Sequence, residues 1–157
     1  LNDKRIRVSK CDKLQESLVG TGFPFRDFKH LDTYLGMFKS MLQKTTGIRR
    51  PGSAALDLAY VANGSLDAFW EIGLSPWDIA AGSLLVQEAG GIISNLNGKE
   101  GWLQSGNILA ASPKIYDAML ETLAPGVTWS QLGVYKCITT SETQKNYICL
   151  MNKMTKF

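Results

Sequence analysis

Apolar and polar positions change period repeatedly along this chain, and each change marks an element. Residues 4–9, Lys-Arg-Ile-Arg-Val-Ser, alternate polar and apolar, which predicts a half-exposed strand. Residues 17–20 form a short apolar run that leaves into Thr21-Gly22-Phe23-Pro24, a strand followed by a loop. From Leu31 the period becomes helical. Leu31, Tyr34, Leu35, Phe38, Met41 and Leu42 share one face, and Gly47 is expected to close that helix. Residues 48–50 read as a brief strand or loop, broken by Pro51 and Gly52. Ser53 then caps a small-residue helix over 54–62, ended by Asn63-Gly64. Residues 66–72, with Phe69 and Trp70, are strand-like. Ser75-Pro76 opens a further helix with proline at its first position, running to the Gly90-Gly91 stop. Residues 91–94 and 107–111 are strand candidates. Ser112-Pro113 opens a last helix with Tyr116, Met119, Leu120 and Leu123 on one face, stopped by Pro125.

Strands and helices therefore alternate from 17 to 124, which predicts an α/β layer with helices packed on a mostly parallel sheet. Residues 126–157 sustain no period and read as a tail, with a short strand at 147–151.

The composition is that of an ordinary globular chain: 157 residues, 45% apolar and 20% charged. A chain of this length can bury one good core. No apolar run approaches the ~18 residues that a transmembrane helix needs, so no membrane association is expected. Lys136, Lys145, Lys153 and Lys156 against Glu142 account for the whole formal net charge of +3, which leaves residues 1–125 neutral. The body of the chain thus has no basic bias, and direct nucleic-acid binding is not expected. One histidine, His30, excludes a multi-histidine metal site within this chain. Cys11, Cys137 and Cys149 are scattered, without C-x-x-C spacing, as suits free thiols in a reducing, cytoplasmic compartment. The chain opens at Leu1 rather than methionine, for which processing, trimming or an absent upstream half would each account.

Ser75-Pro76-Trp77-Asp78 is the stretch richest in chemistry. With Ser75 as N-cap, Asp78 falls at the third helical position. There it can act as a capping-box carboxylate facing the helix dipole, worth ~1 kcal/mol. A carboxylate at a helix start beside a loop is also a common way to hold Mg²⁺ next to a phosphate, and the two roles are compatible. Asp57, inside a helix, reads as structural and able to bond an arginine. Arg49 and Arg50 read either as a solvated loop pair or as partners for carboxylates. His30 flanks a helix start, and Trp70 and Trp77 read as core or loop packing.

The ordered series goes further. Trp77-Asp78-Ile79-Ala80-Ala81-Gly82, with Leu85, Glu88, Ala89, Gly90 and Gly91 after it, resembles the C-terminal signature of the inositol monophosphatase family. The likeness covers roughly residues 1–123. It takes in Leu1-Asn2, Arg5 to Ser9, Thr21-Gly22-Phe23-Pro24, Arg49-Arg50, Gly52 to Tyr60, Asp67 and Glu71, and is strongest to bacterial members of the extragenic-suppressor type.

The resemblance implies the C-terminal half of the sugar-phosphatase α/β fold, a mixed, mostly parallel sheet flanked by helices. Residues 1–10 would be the last strand of a missing N-terminal sheet, residues 11–124 the C-terminal α/β domain, and residues 125–157 an unmatched basic tail. The implied reaction is Mg²⁺-dependent hydrolysis of inositol monophosphate, with other sugar or nucleotide phosphates as alternatives. The implied substrate-binding residues are Glu71, Gly52, Ser53, Ala54 and Asp78, with Asp78 also the metal ligand. A carboxylate such as Glu71 can accept two hydroxyl hydrogens, and free N–H groups at a helix start complement ring oxygens. The family's upstream glutamate and D-P-[IL]-D-G-T motif do not occur in this sequence. One aspartate cannot replace a multi-carboxylate cage, so this chain alone is expected to be inactive. Ser65 stands where bacterial relatives often carry arginine. A homodimer is implied for the full-length family, with Arg49 and Arg50 able to contribute to its subunit interface. A non-catalytic role, binding ribosomal-RNA transcription factors, is the alternative.

Overall fold

The computed structural model describes residues 1–24 and 28–124. The tail from 125, the strand expected at 147–151, and the stop at Pro125 lie outside the described residues. The elements are β1 (Leu18–Thr21), α1 (Leu31–Leu42), β2 (Gly47–Arg49), α2 (Ala54–Ala62), β3 (Ala68–Glu71), α3 (Pro76–Glu88), β4 (Ile92–Ser94), α4 (Trp102–Ser105), β5 (Ile108–Ala111) and α5 (Tyr116–Leu123). Single 3₁₀ turns at Leu14–Glu16 and Phe28–His30 precede β1 and α1.

The strands form one sheet in the order β2-β1-β3-β5-β4. β1 pairs in parallel with both β2 and β3, and β5 pairs antiparallel with both β3 and β4. Only β5 therefore runs against the other four, and the α/β reading with a mixed, mostly parallel sheet holds. Alternate residues of the central strands feed two cores. Ala68, Trp70, Leu109 and Ala111 face Tyr34, Met37 and Met41 of α1 and Met119 and Leu123 of α5. Phe69, Ile108 and Ala110 face Leu58 and Val61 of α2 and Ile79 and Val86 of α3. Burial on both faces explains why these strands read as continuous apolar runs.

The strands are short, so their register needs anchors. Asp67 supplies one. Its Oδ2 accepts the Leu18 N–H at 2.6 Å, its own N–H donates to the Leu18 carbonyl at 2.9 Å, and its carbonyl accepts the Ser112 N–H at 3.1 Å. β1, β3 and the end of β5 are tied at one residue. On the second core, α2 and α3 approach closely enough that a Cβ at Gly82 would lie 2.5 Å from Leu58 Cβ. α3 is apolar on every side: Ile79 and Val86 point inward, while Trp77, Leu84 and Leu85 are exposed. Trp70 is thus a core residue as expected, whereas Trp77 packs in neither core. Among the described residues no helix is long and apolar enough to cross a membrane.

Two expectations are corrected, and one element is added. Residues 4–9 form no strand. Their alternation does turn Ile6 and Val8 toward the second core, but the neighbouring backbone is the end of α3, where Val8 N–H donates to Ala89 O at 3.2 Å. Gly47 does not close α1. That helix ends at Leu42, the polar stretch 43–46 makes the turn, and Gly47 opens β2 opposite Leu18. α4 was not anticipated, because four residues carry no readable period; it is set between Gly101 and Gly106, both at positive φ.

Trp70 is fully buried and stacks on Tyr34, with ring centroids 6.4 Å apart. Trp70→Ala is expected to cost ~3–5 kcal/mol. Urea unfolding of the two proteins measures it.

Candidate functional site

The parallel strands β2, β1 and β3 all end at the same edge of the sheet. The carboxyl edge of parallel strands is where α/β folds ordinarily place ligands. α2 begins just after β2 and α3 just after β3, so both helix N-termini lie at this edge. Both helices pack on the face that carries Phe69. Glu71, two residues on, shares that face. Topology therefore brings Glu71, Gly52-Ser53-Ala54 and Asp78 to one edge and one face.

The start of α3 is built as its residues suggest. Pro76 occupies the first helical position and Ser75 is the N-cap in extended conformation. Asp78 Oδ2 accepts the Ser75 N–H at 3.1 Å, the carboxylate arm of a capping box. The connection from β3 is pinned from outside. Gly73 N–H donates to Asn107 Oδ1 at 3.1 Å, and Leu74 N–H donates to the Gly106 carbonyl at 2.9 Å. Gly106 has φ +69, and any Cβ there would run into the Leu74 carbonyl oxygen. No residue but glycine closes this contact. Neither Gly106 nor Asn107 was singled out from the sequence. Their partners lie more than thirty residues away, and only the Gly-Asn pair ahead of a strand hinted at a turn.

Glu71 is half-buried at the end of β3, and its carboxylate lies against Gly22, in the space where a side chain on that residue would begin. That contact gives Gly22, inside the Thr21-Gly22-Phe23-Pro24 stretch, a physical reason to lack a side chain. Beside it Tyr34 is buried, and its hydroxyl and that of Thr21 share a hydrogen bond of 3.3 Å. Burial pushes the Tyr34 hydroxyl up to about 12, with Glu71 adding to the rise and the Thr21 bond and Arg50 opposing it.

The start of α2 differs from that of α3. Ser53 is its N-cap, but the Ser53 side chain makes no capping bond. The first-turn N–H groups are thus not taken by that hydroxyl. Asp57 in the first turn is buried, 1% exposed, and its Oδ1 has no hydrogen-bond partner. Burial pushes its carboxyl up to about 6, opposed by the nearby Arg50 guanidinium and by the backbone N–H of Ser53. The expected arginine partner of Asp57 is therefore Arg50, acting through charge. Arg49 is exposed and its Nη1 donates to the Ile48 carbonyl at 3.1 Å.

The Mg²⁺ that the family resemblance implies needs an octahedron of oxygens. Among the described residues no three acidic, histidine or cysteine side chains are grouped to hold a metal. Asp78 offers one carboxylate, one oxygen of which already accepts the Ser75 N–H. These residues do not make a magnesium site by themselves.

Similarity to known proteins bears on the family and the fold. The profile of the inositol monophosphatase family matches residues 1–127. Nus factor SuhB of Pseudomonas aeruginosa is 55% identical over 127 residues, covering 80% of this chain and 47% of that protein. The solved extragenic suppressor protein SuhB from Bartonella henselae has 40% identity and a TM-score of 0.76, covering 80% of this chain and 48% of that one. An inositol monophosphatase II solved with inositol monophosphate bound has 26% identity and a TM-score of 0.69, covering 79% of this chain and 48% of that one. The chain spans about half the length of the curated relatives it matches.

The raised Asp57 carboxyl has a signed consequence. An acid that is harder to ionise when folded costs stability as pH rises from its ordinary value of 3.8 through about 6. Asp57→Asn should therefore raise the melting temperature at pH 7 to 8, with the advantage disappearing below about pH 4. Melting curves of both proteins across pH check this; equal curves at neutral pH would refute it.

Proposed function

The chain belongs to the inositol monophosphatase family, and from that premise we propose that it carries the polyol-binding side of a Mg²⁺-dependent phosphomonoesterase acting on inositol monophosphate. One observation carries this reading: Glu71, the uncapped start of α2 at Gly52-Ser53-Ala54, and Asp78 converge on one edge and face of the sheet. In this reading Glu71 accepts hydrogens from ring hydroxyls. The first-turn N–H groups of α2, which the Ser53 hydroxyl does not cap, donate to ring oxygens, and Asp78 presents a carboxylate toward the phosphate end. The solved relative with inositol monophosphate bound supports the choice of substrate. Phosphates of other sugars or of nucleotides are the alternatives within the same chemistry.

In this reading the 157-residue chain supplies only part of the catalytic site and is expected not to turn over substrate on its own. Among the described residues Asp78 is not grouped with other carboxylates into a metal cage. Exposed Trp77, Leu84 and Leu85 on α3 support the same reading, since a helix apolar on every side is ordinarily covered on every side. We place the working unit in residues 11–124, with residues 125–157 as a basic extension.

A second reading has its own support. Relatives named Nus factor SuhB point to a transcription-factor partner, and binding to such a complex needs no metal cage.

Phosphate release from inositol monophosphate in the presence of Mg²⁺ separates the possibilities. The isolated chain should release none above background. Magnesium-dependent release that Asp78→Asn abolishes would overturn the inactivity claim while supporting the metal role of Asp78. Capture of transcription factors by the Asp78→Asn chain, undiminished from wild type, would favour the second reading.

A further inference from the structure

Arg50 lies where the two sides of the proposed polyol site meet, and the proposed function gives it no part. On one side it faces the start of α2. A Cβ at Gly52 would lie 2.8 Å from Arg50 Nη1, so the guanidinium runs across the Gly52 backbone, which is held at φ +100. The same guanidinium is the nearby charge that favours ionised Asp57, and Asp57 in turn binds the backbone N–H of Ser53. On the other side Arg50 lies over an aromatic ring, with Cζ 5.4 Å from the Phe23 centroid. Phe23 meets Tyr34 edge to face at 5.8 Å, and Tyr34 stacks on Trp70 at 6.4 Å. Trp70 immediately precedes Glu71, and Phe23 immediately follows Gly22, on which the Glu71 carboxylate lies.

We propose that Arg50 is a positioning residue that holds the Gly52–Ala54 segment and the Glu71 edge in one fixed arrangement. The proposal rests on the polyol reading above and deepens it. Arginine suits the task. Its flat guanidinium can stack on a ring while its charge attracts a carboxylate, and a lysine ammonium cannot stack in that way. A merely solvated arginine, the plain reading of an exposed side chain at this position, would need neither the ring beneath it nor a glycine under its edge.

The test uses the full 157-residue chain, ¹⁵N-labelled, with Arg50→Gln, Arg50→Lys and Phe23→Leu. Arg50 and Phe23 are both exposed enough that these variants should fold, which unchanged melting temperatures will show. In the free protein, Arg50→Gln should shift the amide resonances of Gly52, Ser53 and Ala54 together with those of Gly22 and Glu71. Phe23→Leu should reproduce both sets of shifts, and Arg50→Lys should fail to restore them. Affinity for inositol monophosphate should fall about tenfold in Arg50→Gln, the scale of losing a partly desolvated cation–π contact. Shifts confined to the immediate neighbours of residue 50, with affinity unchanged, would overturn the proposal. If wild type binds no inositol monophosphate, the polyol reading fails. The positioning role is then decided by the free-protein shifts: coordinated movement at both sides supports it, and movement at one side alone overturns it.

Discussion

The hydrogen bonds of Asp67 hold the sheet in the one register that builds this site. Its carboxylate and amide grip Leu18 at the start of β1, and its carbonyl receives Ser112 beyond β5. Four-residue strands have little else to resist slipping. A slip of one residue would exchange the faces of Phe69 and Trp70, sending the larger ring into the α2–α3 core. It would also turn Glu71 away from the helix N-termini it now shares. The anchoring residue lies at the opposite end of β3 from the candidate chemistry, so the precision of the site is set at a distance.

Above that register, two helix starts meet one edge in different electrostatic states. α3 is closed by its own Asp78, which answers the positive end of the helix with a carboxylate. α2 is not capped by the Ser53 hydroxyl, and its own first-turn carboxylate, Asp57, meets the Ser53 backbone N–H but is buried and reluctant to ionise. An acidic arm beside such a donor end is a fitting pair for a ligand with hydroxyls at one end and a charged group at the other. The cost is carried by Asp57, a buried acid with an unbonded oxygen, of the kind that tends to accumulate at functional sites.

Much of the scaffold could be read before any coordinates. The helix over 54–62, the proline-led start at Ser75-Pro76, and the apolar runs of β1, β3 and β5 all follow local rules of capping and period, and the structure keeps them. The failures were of two kinds. Residues 4–9 have the alternation of a strand, but a strand needs a neighbouring edge, and their neighbour is the end of a helix. Gly47 looked like a stop because glycine often is one, yet its place was decided by pairing with Leu18. At the site, Asp78 carried a local capping signal, whereas Glu71 alone would read as a solvated charge and only the ordered family series singled it out. Gly22, Gly106 and Asn107 act through partners distant in sequence, and no local pattern could show them.

Gly106 makes the point in another setting. Every single-base change to a glycine codon that alters the residue inserts either a side chain or a stop. At this position even the smallest side chain meets the Leu74 carbonyl oxygen and strains a left-handed backbone. A random mutational survey should therefore find position 106 nearly as intolerant as the acidic residues, although it offers a ligand nothing. Intolerance to substitution here measures how closely two loops are pressed together. A map of mutational sensitivity alone would mistake this hinge for part of the chemistry.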